Sequence, residues 1–197
     1  MSETQLLGEN STAEGPVEQE VVHHRPSLLG ELRGWLRDIV FAALTAVLIV
    51  VFVVQPVKVE GTSMLPQLED QERIFVNKFI YHVSEIERGD VVVFWYPKDP
   101  AKSFIKRVIG LPGEEIEIRR GVVYVNGREL VEPYVPYEFF DPSSSGPTRV
   151  ASGSYFVLGD HRNSSNDSRN WGTVPIENIF GQAVFRYWPV TKLGLID

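Results

Sequence analysis

The chain has 197 residues, which is enough for one domain of ordinary size together with a tail and an anchor. Its formal net charge is −7, but residues 58–197 are nearly balanced, with 16 basic and 19 acidic side chains. Because no basic excess is available to neutralise phosphates, nucleic acid is not expected as a partner. The lack of cysteine excludes disulfides, thiol catalysis and cysteine-based metal sites.

Two segments precede the main domain. Residues 1–27 are polar and acidic without a hydrophobic period, and are predicted to form a disordered tail. The predominantly apolar run Ile39–Val54 follows, and we predict that residues 28–57 form a single transmembrane signal anchor in the lipid bilayer. A buried core helix and a cleaved signal peptide are the alternatives. The run is apolar on every face and lacks the polar stripe of a surface helix, which disfavours a core helix. No A-x-A-like site follows the run, which disfavours a cleaved signal peptide.

The direction of the anchor is predicted from nearby basic residues. Arg25, Arg33 and Arg37 precede the apolar run, whereas Lys58 is the only basic residue that follows closely. Lysine and arginine favour the cytoplasmic side of a membrane. We therefore expect a protein of the cytoplasmic membrane, with a cytoplasmic N-terminus and an extracytoplasmic domain formed by residues 58–197.

The main domain shows the pattern of an all-β fold. Asn126-Gly127 between apolar stretches predicts a hairpin, residues 133–152 read as an exposed loop, and only Pro175–Ile179 reads as a helical turn. The fold class predicted is mainly β, an antiparallel or mixed, barrel-like sheet after one transmembrane helix. Short runs of β-branched and aromatic residues supply the other predicted strands, namely Arg73–Val76, Val91–Tyr96, Phe104–Ile109, Tyr155–Leu158 and Val184–Trp188.

Ser63 is a candidate nucleophile close to the membrane. It follows the apolar run by nine residues, which reach at most about 30 Å when extended. A serine needs a base to become a good nucleophile. A histidine base has little support, because His82 lacks an acidic neighbour and His161 points away from the adjacent Asp160 on an extended chain. The histidine alternative nevertheless remains open at this point.

Lysine is the second candidate base. On a strand, period-two alternation places Phe104 and Val108 on the same face as Lys106. Burial among apolar side chains lowers the pKa of a lysine because desolvation disfavours the charged form. The alternative interpretation is an edge-strand lysine that guards against aggregation, and the pattern alone leaves both possibilities open.

Four sequence blocks in one order resemble those of bacterial type I signal peptidases, the membrane-bound Ser-Lys peptidases that remove signal peptides. One such block would be weak evidence, whereas four in order after a single apolar span are specific. The resemblance covers almost everything from Arg33 onward. The four blocks are Gly61–Leu68, Gly89–Phe94, Lys106–Glu114 and Gly159–Arg169.

The resemblance implies a role for each matched residue. Ser63 corresponds to the nucleophile, Lys106 to the general base, and Ser165 to a serine that hydrogen-bonds and orients the lysine. The backbone N–H of Ser63 would be one donor to the oxyanion. For Asp160, Asp167 and Arg169 the resemblance implies ion pairs. These pairs would stabilise the block Gly159–Arg169 without taking part in the chemistry.

The chain departs from the family pattern at four positions. Gly61 stands where some members have a serine that is the second oxyanion donor, so that donor is another group or is missing. Gln67 replaces a threonine, Glu114 an aspartate and His161 an asparagine. These departures affect the expected substrate preference more than the expected reaction class.

The function expected from the resemblance is cleavage of exported preproteins at A-x-A-like signal-peptide sites through an acyl-enzyme, with no metal and no cofactor. Three alternatives remain. One is a specialised pilin-type processing peptidase of the same clan, and another is an inactive membrane-anchored β domain that binds peptides. A self-cleaving Ser-Lys repressor is disfavoured by the anchor and by the absence of a DNA-binding motif.

Overall fold

The computed structural model describes residues 28–196. The tail predicted for residues 1–27 lies outside this range. The chain divides into two compact units, one that ends at Ala42 and one that begins at Ala43.

Helix α1 spans Leu28–Phe52. Its large apolar side chains are exposed, among them Trp35, Phe41 and Leu44. Among the described residues, no helix combines the length and the hydropathy that a membrane-spanning segment requires. The transmembrane anchor predicted for residues 28–57 is therefore not shown by the structure and stays a prediction.

The larger of two antiparallel sheets contains eight strands. Its strands are β1 Val54–Lys58, β2 Arg73–Asn77, β3 Val91–Tyr96, β4 Asp99–Gly110, β9 Ser154–Leu158, β10 Val174–Pro175, β11 Ile179–Trp188 and β12 Gly194–Leu195. Their order in the sheet is β1-β2-β11-β3-β4-β9-β10, with β12 paired to β11. The end of the segment predicted as the anchor forms β1, which pairs with β2.

The smaller sheet contains β5 Glu115–Arg119, β6 Val122–Val125, β7 Arg128–Glu129 and β8 Ser145–Arg149, in the order β7-β6-β5-β8. The predicted hairpin is confirmed, since Asn126 and Gly127 both have positive φ and join the paired strands β6 and β7. The exposed loop predicted for residues 133–152 is partly wrong, because β8 lies within it. The Ser-Gly-Pro-Thr composition of β8 does not resemble a strand, and its edge position tolerates the proline.

Several short helices join the strands. The predicted turn at 175–179 contains a 3₁₀ helix, Ile176–Asn178, and α2 spans Ser168–Trp171. The expectation of a single helical turn is wrong, because helices of one turn are too short to show the 3.6-residue period. The further 3₁₀ helices are Ile80–His82, Tyr137–Phe139, Arg162–Ser164 and Val190–Lys192.

The predicted mainly β fold with antiparallel sheets is confirmed. Strand β4 is the longest, and it links β3 to β9. A hydrophobic cluster under one end of the larger sheet includes Met64 and Leu68 from the loop between β1 and β2. This loop is thus attached to the sheet that carries β4, and the two together form the candidate site.

Candidate active site

Ser63 lies on the loop between β1 and β2, and that loop is fixed on both sides of the serine. Met64 and Leu68 are buried, with 2% and 0% exposure. Before the serine, Gly61 adopts φ +91°, and its N–H donates to Asp70 Oδ1 at 2.8 Å. Only glycine adopts such a φ without strain. The nucleophile candidate is therefore held by core packing on one side and by a tight turn on the other.

Lys106 lies on β4 with its side chain directed at Ser63. Its Nζ donates to Ser63 Oγ at 2.7 Å and to the Ile105 carbonyl at 2.9 Å. The lysine is 3% exposed, and its Nζ lies 5.3 Å from the centroid of the Phe104 ring. The apolar surroundings predicted from strand alternation are thus present on the Phe104 side.

Burial lowers the pKa of Lys106 to about 8, because desolvation disfavours the ammonium form. The charges of Asp167 and Asp160 act in the opposite direction and raise this pKa. With a pKa near 8, roughly one lysine in ten is neutral at pH 7. A neutral amine at 2.7 Å from Ser63 Oγ is in position to accept the hydroxyl proton.

Ser165 lies close to the nucleophile but not in the expected contact. A Cβ built on Gly159 would approach Ser165 Oγ and the Ser63 carbonyl oxygen, so all three groups are neighbours. Within residues 28–196, the buried Ser165 Oγ has no hydrogen-bond partner. The predicted hydrogen bond to Lys106 is therefore not formed, and Nζ instead donates to Ser63 and to the Ile105 carbonyl.

Asp160 forms a buried ion pair with a residue that the sequence analysis did not single out. Its two carboxylate oxygens accept from Arg107 Nε and Nη2 at 2.9 and 2.7 Å, and both side chains are almost fully buried. Arg107 follows Lys106 on β4 and so points to the opposite face. Two adjacent cations in the otherwise apolar predicted strand Phe104–Ile109 were the signal that could have identified this pair.

Asp167 and Arg169 form the predicted ion pair, with a distance of 2.8 Å between Asp167 Oδ1 and Arg169 Nε. Asp167 Oδ2 also accepts from the Gly159 N–H at 3.1 Å. Arg169 has a second partner, Asp141, at 2.8 Å, and Asp141 comes from the region predicted as a loop. Asp167 and Arg169 thus connect the block Gly159–Arg169 to Asp141 in the region 133–152, and Asp167 also holds the backbone of Gly159, directly after β9.

Neither of the two histidines in residues 28–196, His82 and His161, occupies the position of a base. The ring Nδ1 of His161 lies 3.0 Å from the Thr62 carbonyl oxygen, where it can only donate. His82 lies in the Ile80–His82 turn and stacks on Phe79. Since the contact of Ser63 Oγ is with Lys106, the geometry favours lysine over histidine as the base.

A cleft of about 110 Å³ opens beside Ser63 and Lys106. One wall is formed by residues 57–61, which leave β1, and the other by residues 103–106 of β4. Strand β1 is an edge of the larger sheet, and only the last part of β4 pairs with β9. The cleft therefore lies between the end of β1 with the residues that follow it and a stretch of β4, and within residues 28–196 each of these two strands has an unpaired edge there.

Comparisons with known proteins agree with the sequence blocks. The family described as signal peptidase, peptidase S26, matches residues 32–188. The chain is 41% identical to a probable signal peptidase I-2 of Synechocystis over 175 residues, covering 82% of this chain and 77% of the relative. It is 40% identical to a signal peptidase I of Leptolyngbya laminosa over 180 residues, with 86% of each chain covered.

A third relative is a signal peptidase I of Bacillus amyloliquefaciens. It is 39% identical over 165 residues, which cover 79% of this chain and 84% of the relative. The resemblance inferred from the four blocks is thereby confirmed, and so is the hydrolase class that it implied. This chain belongs to the signal peptidase family of serine proteases, peptidase S26.

Proposed function

We propose that this protein removes N-terminal signal peptides from exported preproteins, with Ser63 as the nucleophile and Lys106 as the general base. The main support for these two roles is the 2.7 Å contact between Ser63 Oγ and the buried Lys106 Nζ. Membership of the signal peptidase family supports the reaction and the substrate class. The pKa of Lys106, lowered to about 8, makes the neutral base available near physiological pH.

In the proposed mechanism, neutral Lys106 accepts the Ser63 hydroxyl proton while Ser63 Oγ attacks the scissile carbonyl carbon. The C–N bond then breaks, and the lysine ammonium gives its proton to the leaving amine. The new N-terminus belongs to the mature protein, and the signal peptide remains as an ester on Ser63. Lys106 next activates a water molecule, which hydrolyses the ester and regenerates both side chains.

The backbone N–H of Ser63 is the proposed donor to the oxyanion. In residues 28–196 this N–H has no hydrogen-bond partner, so it is available to a substrate. It belongs to the nucleophile itself, which keeps it close to the carbon under attack. A donor placed for the developing charge contributes substantially to the rate of acyl transfer.

The cleft supports binding of an extended peptide. Free strand edges on residues 57–61 and 103–106 can each form main-chain hydrogen bonds to a strand inserted between them. A preference for small residues at the key positions of an A-x-A-like site is what the family resemblance implies for this cleft.

Ser165 keeps a proposed orienting role on the basis of its location. A buried hydroxyl without a partner carries a free-energy penalty, and this one lies beside the Ser63 carbonyl. The Lys106 ammonium has three N–H donors, of which two are used by Ser63 and Ile105. Rotation of Ser165 toward Lys106 during proton transfer would satisfy both groups.

The proposed location is the cytoplasmic membrane, crossed once, with the N-terminus inside and the protease domain outside. The apolar run Ile39–Val54 and the arginines before it support this topology. Among residues 31–49 of α1, ten large apolar side chains are exposed, and such surface normally contacts lipid or protein. The site would then be held near the outer leaflet, where cleavage sites of exported chains emerge.

Cleavage of a preprotein in detergent tests the proposed activity. We expect the wild-type protein to release the mature chain, and Ser63→Ala and Lys106→Met to lower the rate at least about a thousandfold. Lys98→Met is the matched control, since Lys98 is exposed in the turn between β3 and β4, and it should retain full activity. Mass spectrometry of the product identifies the bond that is cut.

Two results would contradict the proposal. Full cleavage by Ser63→Ala would support the inactive peptide-binding domain instead, because the chemistry would then belong to a contaminant. Cleavage of pilin-type precursors alone, in a panel of preproteins, would support the specialised processing peptidase. Neither alternative has a structural feature in its favour that the signal peptidase lacks.

A further inference from the structure

His161 contacts the backbone on both sides of the proposed nucleophile. Its own N–H donates to the Ser63 carbonyl oxygen at 3.1 Å. Its ring Nδ1 lies 3.0 Å from the carbonyl oxygen of Thr62. Because a carbonyl oxygen accepts but does not donate, this contact requires the proton to be on Nδ1.

The Thr62 carbonyl and the Ser63 N–H belong to one peptide unit. This unit is planar, so a hydrogen bond that fixes the direction of its C=O also fixes the direction of its N–H. A hydrogen bond accepted by the carbonyl also polarises the unit and strengthens the N–H as a donor. The Leu65 N–H donates to the same Thr62 oxygen at 3.2 Å, so the carbonyl is held from two sides.

We propose that His161 is a positioning residue that aims the Ser63 N–H at the oxyanion. The proposal rests on the proposed function, since it assigns a role in the same reaction. Gly61 has no side chain that could donate a hydrogen bond to the oxyanion, so a larger share of the stabilisation of the oxyanion comes from the Ser63 N–H. Its orientation then limits the rate, and His161 sets that orientation through the Thr62 carbonyl.

The imidazole is itself held in place. Its ring packs on Phe139 with a distance of 4.3 Å between the ring centroids. Asn163, two residues after the histidine, donates from Nδ2 to the Glu138 carbonyl at 3.2 Å. The turn Tyr137–Phe139 therefore contacts both the ring and the segment that carries it, which restricts the direction of Nδ1.

Two substitutions separate positioning from packing. In His161→Asn, the amide nitrogen is two bonds from Cβ, as Nδ1 is in histidine, and can donate to the Thr62 oxygen. In His161→Gln, the amide nitrogen is three bonds from Cβ and corresponds in reach to Nε2 instead. Both variants lose the ring contact with Phe139, so any general loss of packing is common to the two.

Preprotein cleavage in detergent gives the main result. We expect His161→Asn to keep kcat within about twofold of the wild type. His161→Gln and His161→Ala should lower kcat about tenfold, the size of effect expected from one hydrogen bond. KM should stay within about twofold in all three, because the oxyanion donor acts in the transition state. Equal kcat values for the Asn and Gln variants would overturn the proposal, as would an effect on KM alone.

A second measurement does not depend on turnover. Nitrogen NMR of the Ser63→Ala protein, at a pH where the imidazole is neutral, should show the His161 proton on Nδ1, since the contact is with the backbone carbonyl. A proton on Nε2 would overturn the inference even if the enzyme is active. A different result would be a wild-type protein that carries the proton on Nδ1 but does not cleave preproteins. That result would overturn the proposed function, and with it the role assigned to His161.

Discussion

At the scale of single residues, the proposed chemistry depends on the environment of the Lys106 amine. Lys106 is buried beside Phe104, and its ammonium form lacks the hydration it would have in water. Asp160 and Asp167 raise its pKa, but desolvation has the larger effect. The result is an amine whose neutral form is populated near pH 8, at hydrogen-bond distance from Ser63 Oγ, as the proposed role of general base requires.

The pH dependence of cleavage follows from this pKa. Activity should rise with pH, with a half-maximal value of kcat/KM near pH 8, because only neutral Lys106 can accept the Ser63 proton. A free lysine would place the midpoint near 10.4. Initial rates of preprotein cleavage between pH 6 and about 10 measure the midpoint. A flat profile over that range would contradict a lysine base.

The same pKa shift has a consequence for stability. Between about pH 8 and 10.5 the unfolded chain binds the proton at Lys106 more tightly than the folded chain, so the free energy of unfolding rises with pH. Below that window the buried charge costs roughly 3 kcal/mol. The free energy of unfolding in urea should therefore rise with pH for the wild type relative to Lys106→Met. A difference between the two proteins that stays constant with pH would contradict the lowered pKa of Lys106.

At the scale of elements, the site is formed where the end of β9 meets the loop between β1 and β2. Gly159 follows β9 directly and lies against the Ser63 carbonyl. Its N–H donates to Asp167 Oδ2, the carboxylate that also pairs with Arg169. The close approach of two backbones leaves no room for a side chain at position 159.

Gly159→Ala should separate these two backbones. The new Cβ would overlap the Ser63 carbonyl oxygen and Ser165 Oγ, neither of which is the end of a long flexible side chain. Displacement of the nucleophile by a fraction of an ångström to 1 Å should lower kcat about a hundredfold. Gly194→Ala is the control, because a Cβ there meets nothing within 4 Å and its φ is not positive. Equal kcat values for the two variants would show that the approach at Gly159 does not position Ser63.

At the scale of the whole molecule, an apolar helix precedes a protease domain on one chain. The helix ends at Phe52 and the proposed nucleophile is Ser63, so the connection between them is short. A short tether would limit the enzyme to bonds presented near the membrane surface, as in a preprotein that is leaving it. The proposed topology and the proposed substrate class thus support each other.

Membrane attachment can be tested with the full chain. We expect the wild type to fractionate with membranes and the domain from residue 58 onward to be digested when protease is added to spheroplasts. Val47→Arg places a charge in the centre of the apolar run, at a cost of about 3 kcal/mol for insertion. It should move protein to the soluble fraction. Val131→Arg adds the same charge at an exposed position outside residues 28–57 and should leave the distribution unchanged. A soluble wild-type protein would contradict the topology.

The local pattern of the sequence was enough to predict much of the fold. Short runs of β-branched and aromatic residues predicted β2, β3, β9 and parts of β4 and β11, and Asn126-Gly127 predicted the hairpin. Period-two alternation placed Lys106 on an apolar face, and the resemblance of four blocks joined it to Ser63. Each strand, the hairpin and each block is encoded within a short stretch of residues, so each can be identified without the fold.

Only the tertiary structure decided which distant groups meet. Ser63 and Lys106 are 43 residues apart, and Arg107 and Asp160 are 53 apart. The hydrogen bond that Ser165 lacks and the one that His161 makes also depend on how β9 and the β1–β2 loop pack. Sequence determined the residue types and the strands that carry them, because those follow from short-range periodicity. The contacts between side chains follow from strand order, register and loop packing, and these result from long-range pairing that no local pattern specifies.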